Sequence, residues 1–158
     1  RYRRSYVAYQ TYCFDDTPGD SWRLRMAKLR SSRLVTIAGL LAVLGEASRE
    51  TDSLGAVESR LTSTPVERLY GAMVRWDERI ANDMLTHYNA AHGVVEEPAC
   101  RTALLAGPPV TLAQLEVAPP SLGEVLDAAL PALEEVINNF LLAQGDYWPA
   151  WFYRALLL

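Results

Sequence analysis

Four consecutive residues, Thr64-Pro65-Val66-Glu67, leave this chain little choice but to begin a helix. Threonine suits the N-cap and proline the first helical position, and a glutamate three past the cap can reach back to the cap's own N–H. Behind them Val66, Leu69, Tyr70, Met73, Ile80, Met84, His87 and Ala91 recur at spacings of three and four, with one gap that Trp76 or Asp77 fills. That period puts the apolar side chains on one helical face and predicts a helix running to about His92, stopped by Gly93 as its C′ residue. Arg79 and Asp83, four apart on the outer face, are placed to pair.

The same logic marks further helices. Ser121-Leu122-Gly123-Glu124 reads as a second capping box. Leu122, Val125, Leu126, Ala129, Leu133, Val136, Ile137 and Phe140 follow it as a helical stripe that closes at Gly145. Pro131 inside that stretch removes a backbone donor, so a kink or a split near Leu130 is expected. Trp22 to about Ala47 is apolar on most sides (Met26, Leu29, Val35, Ile37, Leu40, Leu41, Leu44), the pattern of a helix central in a bundle, with Ser31-Ser32 able to interrupt it. Leu54 to Leu61 and Pro98 to Ala106 read as short helices, and Tyr147 to Leu157 as a short apolar one closing the chain. Val110 to Val117, between two Pro-Pro pairs, fits either a short helix or a strand, and Tyr2, Tyr6, Tyr9 and Cys13 keep a weak helical period.

At 158 residues, with no repeat and no low-complexity linker, the chain reads as a single all-α domain over 1–158. A multi-helix bundle of about five to seven helices is the expected architecture. Half the residues are hydrophobic, enough to offset the entropy of ordering the chain. The longest apolar run, Leu34 to Leu44, falls well short of the ~20 residues a membrane span needs. The chain opens on Arg1 rather than methionine, which reads as a processed or excised piece, and no signal-peptide pattern is visible in it. Cys13 and Cys100 are too few and too far apart for a disulfide framework; free thiols and a cytoplasmic location are the expectation.

The net charge of −4 conceals a split of +5 over residues 1–33 and −9 over the remainder. A basic end can mark a nucleic-acid surface, but an acidic body disfavours that partner, and docking of the basic part on the acidic part explains the split as well. A helix-turn-helix reading of Leu40 to Gly45 followed by Ser48 to Arg60 fails on the same ground. The supposed reading helix carries Glu50, Asp52 and Glu58 against Arg49 and Arg60, and would repel phosphates.

Motifs for catalysis are scarce. No phosphate-binding loop, dinucleotide fingerprint, nucleophile elbow or H-E-x-x-H is present, and the balance is against an enzyme. Asp83, His87 and His92, followed by Glu96, Glu97 and Cys100, form the one metal-like group. Five residues separate the two histidines, about 500° around a helix, so they do not share a face. A core-edge histidine bonded to Asp83 explains the pattern equally, and no metal or cofactor is expected. Met73, Met84, Tyr70, Trp76 and Tyr88 could line a pocket between helices, although such stripes are more often plain core.

The aromatic residues give the clearest functional expectation. Eleven of the fifteen lie at the two ends, five of them within residues 147–153. They could fill a seam between terminal helices. With arginine beside them they also have the composition of a binding hot spot. The expected partner-binding residues are Arg3, Arg4, Tyr6, Tyr9, Trp22, Tyr147, Trp148, Trp151, Phe152 and Tyr153. The expected function is a non-enzymatic adaptor or regulatory domain, its partner another protein or a second copy of the chain. The alternatives are a small-molecule-sensing helical domain of a regulator and, less favoured, a metal-dependent helical enzyme using Asp83 and His87.

Overall fold

A computed structural model of the chain describes residues 22–105 and 120–152. Seven α-helices and no strand occur among these residues: α1 (Trp22–Lys28), α2 (Leu34–Ala47), α3 (Ser53–Leu61), α4 (Pro65–Trp76), α5 (Glu78–Glu96), α6 (Pro98–Leu105) and α7 (Pro120–Ala143). The all-α bundle expected from the apolar periods is the fold observed. The stretch Val110 to Val117 and the weak period over Tyr2 to Cys13 lie outside the described residues.

Helices α1 and α2 are one continuous rod with a single π-helical turn, Leu29–Arg33, between them. Ser31-Ser32 thus widens the helix rather than breaking it. The Ser31 hydroxyl, completely buried, donates to the Ala27 carbonyl at 2.6 Å, and Thr36 Oγ1 donates to Ser32 O at 2.7 Å. Such back-bonding competes with the helical ladder and suits a local change of winding. The wider turn sits where Arg30 meets α7: its Nε and Nη2 donate to the two carboxylate oxygens of Glu134, both at 3.2 Å.

Helix α2 is not enclosed on all sides. It buries Leu34, Val35, Ala38, Ala42, Val43 and Ala47 but leaves Leu40 and Leu44 exposed. Its small residues let α4 come close. A Cβ on Gly39 would lie 2.6 Å from the Pro65 carbonyl oxygen, so only glycine permits this approach.

The predicted capping box forms. Thr64 Oγ1 accepts from the Glu67 N–H, and the Glu67 carboxylate accepts from the Thr64 N–H at 2.7 Å. The long helix expected behind it is two helices. Asp77 takes an extended backbone (φ −155°, ψ 116°), ending α4 and capping α5. Its carboxylate accepts from the Arg79 N–H at 2.8 Å and from Arg79 Nη2 at 3.1 Å, so Arg79 pairs with Asp77 and not with Asp83. The corner keeps the apolar faces of both halves on one core, which is why the periodicity reads straight through it.

Gly93 is not the stop. Helix α5 runs through it to Glu96, where the following Glu97 is pushed into an extended conformation ahead of Pro98. Nor does Pro131 split α7, which passes through it unbroken. Pro131 and Asp127, whose carbonyl the proline frees, are both exposed, so water can satisfy that group.

Two clusters form the interior. The larger joins α2, α4, α5, α7 and the C-terminal turn around Val35, Leu69, Met73, Met84, Leu133, Ile137 and Phe140, all at most 1% exposed. The smaller joins Leu24 and Ala27 of α1 with Ala91, Val95, Leu126, Ala129 and Leu130. Helix α3 buries no residue in either. No helix among the described residues is long and apolar enough to cross a membrane.

Candidate functional site

The residues after α7 split the C-terminal aromatic cluster in two. A 3-10 turn, Gln144–Asp146, follows the helix, and the Gln144 carbonyl accepts from the N–H groups of Tyr147 (2.9 Å) and Trp148 (2.8 Å). Gln144 itself is buried and its amide donates to Phe140 O at 3.4 Å. The chain then turns at Pro149, with Phe152 N–H donating to the Pro149 carbonyl at 2.9 Å. Trp148 and Phe152 are buried, whereas Tyr147 and Trp151 are exposed.

Trp148 and Phe152 are core, at 3% and 6% exposure. The two rings meet edge to face at 5.4 Å, and Trp148 meets Phe140 in the same way at 6.4 Å. The indole lies flat against α2 at Gly45, where any Cβ would overlap its ring atoms. Tyr147 and Trp151 are the outer pair, 55% and 61% exposed. Trp151 leans edge-on against Phe152 at 6.0 Å, and the Arg49 guanidinium stands 6.0 Å from the centre of the Tyr147 ring, at the outer limit for a cation–π contact.

Beside Tyr147 lies an open cleft of about 230 Å³, lined by Glu46, Arg49, Ala72, Arg75, Trp76, Gln144 and Tyr147. Arg75 and Glu46 face each other across it at 3.3 Å. The result is a surface of aromatic and arginine side chains, and the arginines are not those expected from the sequence. Arg3, Arg4, Tyr6, Tyr9 and Tyr153 lie outside the described residues, and Trp22 opens α1. Helix α1 packs through Leu24 and Ala27 into the smaller cluster, whereas Trp148 and Phe152 belong to the larger one. Arg49 and Arg75 arrive from the end of α2 and the last turn of α4, positions that no local pattern ties to residue 147.

The other candidate groups resolve differently. Gly45, read as a possible turn between two DNA-binding helices, is inside α2, and α3 begins only at Ser53. Met73 and Met84 are fully buried core. Among the described residues no three His, Cys, Asp or Glu side chains gather closely enough to hold a metal ion. Asp83 is exposed and makes no hydrogen bond with His87, and His92 lies 3.9 Å from Glu96 and stacks obliquely with Tyr88.

Comparison of the chain with protein-family models, with curated proteins and with solved structures returned no significant match.

Proposed function

We propose that this chain is a helical interaction domain that takes up a protein partner on the face formed by Tyr147, Trp151, Arg49 and Arg75. The observation that carries the reading is Trp151, an indole 61% exposed yet seated on a buried ring, Phe152, which is itself locked to Trp148 and Phe140. An exposed tryptophan on a rigid base loses little freedom on binding, and Trp, Tyr and Arg dominate binding hot spots. The adjoining cleft, open and smaller than the ~300–1,000 Å³ of small-molecule sites, fits a partner's side chain better than a whole metabolite. An adaptor or regulatory role follows from surface complementarity without bond-making. The partner is a second copy of this chain or another protein.

Trp151→Ala tests this. Sedimentation equilibrium of the purified chain measures self-association, and quantitative capture of partners on immobilised chain measures the rest. Truncating a central anchor should cost ~2 kcal/mol or more of association, about thirtyfold, with little change in melting temperature. Trp148→Ala should instead destabilise the fold by ~3–5 kcal/mol, since it empties a packed core site. If Trp151→Ala unfolds the chain, or leaves association unchanged, the surface is misassigned. A small molecule released on denaturation in native mass spectrometry would favour the ligand-sensing alternative.

A further inference from the structure

The aromatic face carries unpaired charge of both signs. Arg49 and Asp146 are both exposed, and among the described residues neither forms an ion pair. The Arg49 guanidinium has only the Tyr147 ring beside it, at 6.0 Å. Asp146 closes the 3-10 turn and directly precedes Tyr147. Arg75 and Glu46, in the adjoining cleft, already satisfy each other at 3.3 Å. The cleft and the turn beside it thus hold two cations and two anions, and one of each lacks a counter-charge.

Apolar surface is exposed in the same stretch of chain. Leu142, in the last turn of α7, is 75% exposed, more than any other large hydrophobic side chain among the described residues, and Tyr147 and Trp151 follow it. Exposed apolar groups rimmed by charge mark contact sites. A strongly acidic partner would meet Asp146 and Glu46 there, and a strongly basic one Arg49 and Arg75, and like charges brought together cost affinity. A second copy of the patch meets neither penalty across a twofold axis, because each cation then faces the other copy's anion. At −4 overall, two copies repel at long range, and a patch whose own charges cancel is where they approach at least cost.

We propose, resting on the partner surface proposed above, that its occupant is a second copy of this chain. The two copies meet across a twofold axis with Arg49 of each facing Asp146 of the other, and the Tyr147 and Trp151 rings are buried beside these pairs. A twofold uses every contact twice, so two rim pairs, each modest alone, add to the anchoring rings.

Charge reversal tests the reciprocity. Sedimentation equilibrium of the full chain should show a monomer–dimer equilibrium. Arg49→Asp and Asp146→Arg should each weaken the dimer about tenfold or more, since each sets two like-charge contacts in place of two opposite ones. Mixed one to one, the two variants should regain an affinity close to the wild type's, because every contact in the mixed pair is again between opposite charges. Both substitutions are at exposed positions, and recovery on mixing shows each variant to be folded. No recovery on mixing refutes the reciprocal pairing. A wild-type chain that stays monomeric up to about 1 mM overturns the proposal, and Trp151→Ala against a captured protein then still judges the surface itself. An assembly larger than a dimer overturns the twofold, as do reversals that leave dimerisation unchanged. In that last case Trp151→Ala separates the two readings: a weakened dimer keeps the surface and removes the charge pairing, whereas an unchanged dimer removes both.

Discussion

Replacing Gly45 with alanine sets two effects of known size against each other. In a helix interior the change normally gains ~1 kcal/mol, because glycine has more backbone freedom to lose. Here the added Cβ falls on the six-membered part of the Trp148 indole. That ring cannot slide away cheaply, since it is 3% exposed and held edge to face by both Phe140 and Phe152. Overpacking of this kind costs ~1–3 kcal/mol, and three ring atoms in overlap place Gly45→Ala at the upper end. The net expectation is a loss of ~2 kcal/mol, or about 4–8 °C in melting temperature for a chain of this size. Gly93→Ala is the internal control. Gly93 lies inside α5, is exposed, and has nothing within 4 Å of the position a Cβ would take. It should gain up to ~1 kcal/mol, or about 2–4 °C. Circular-dichroism melts and urea titrations of the two variants decide the matter. Should Gly45→Ala stabilise the protein as Gly93→Ala does, the indole is not seated on α2 and the account of the C-terminal turn fails.

Two further outcomes follow from charged groups. The Asp77 carboxyl is held below its ordinary value of 3.8, chiefly by the side-chain hydrogen bond from Arg79, with the Arg79 N–H next. A lowered folded-state value means that this stabilisation is present above the ordinary carboxylate range and is lost as pH falls through it and below. Asp77→Asn keeps an acceptor for the cap but cannot titrate, so its urea midpoint should fall less steeply with acid than that of the wild type; identical slopes would refute the role given to Asp77. The Arg30–Glu134 pair, two-pronged and about a quarter to a third exposed, should show a coupling of ~1 kcal/mol in a double-mutant cycle with Arg30→Met and Glu134→Leu, shrinking with added salt. Zero coupling at low salt would mean that the π turn positions nothing of consequence.

Much of the bundle is legible in the residues because each helix states its own start and apolar face. Thr64 to Glu67 names a helix start outright, and the stripe over Leu126, Leu133, Ile137 and Phe140 is what α7 buries. The errors come where two local rules compete. At Asp77 the helical period and an N-cap use the same residues, and only the packing of α4 and α5 on one core decides for the corner. At Gly93 the glycine rule for helix ends loses to Pro98, a stronger terminator. Pro131 is tolerated inside α7 because the carbonyl that it frees lies on the solvated face. The candidate surface is only half legible. The chain turns through residues 147–149, so spacing alone does not sort the aromatics, and Trp148 goes inward where Gly45, a residue about a hundred positions away, leaves room for its indole. Arg49 and Arg75 join Tyr147 only through tertiary packing, and no reading of a single segment finds them.

That dependence ties the fold to the proposed surface. Tyr147 and Trp151 leave the backbone on either side of Trp148, so the fit of the indole on Gly45 fixes the segment from which the outer pair projects. A rotated or loosened indole would give the exposed rings more conformations to lose on binding, at ~0.5–1.5 kcal/mol for each side chain immobilised. Gly45→Ala should therefore weaken partner association by about two- to tenfold, although Gly45 is buried beneath the indole. Trp151→Ala should weaken association while the melting temperature holds. Measuring both variants by melting and by association separates a presented surface from a merely exposed one. Association unchanged in a Gly45→Ala chain that melts several degrees lower would mean that the outer rings are ordered by something other than the Trp148 seat.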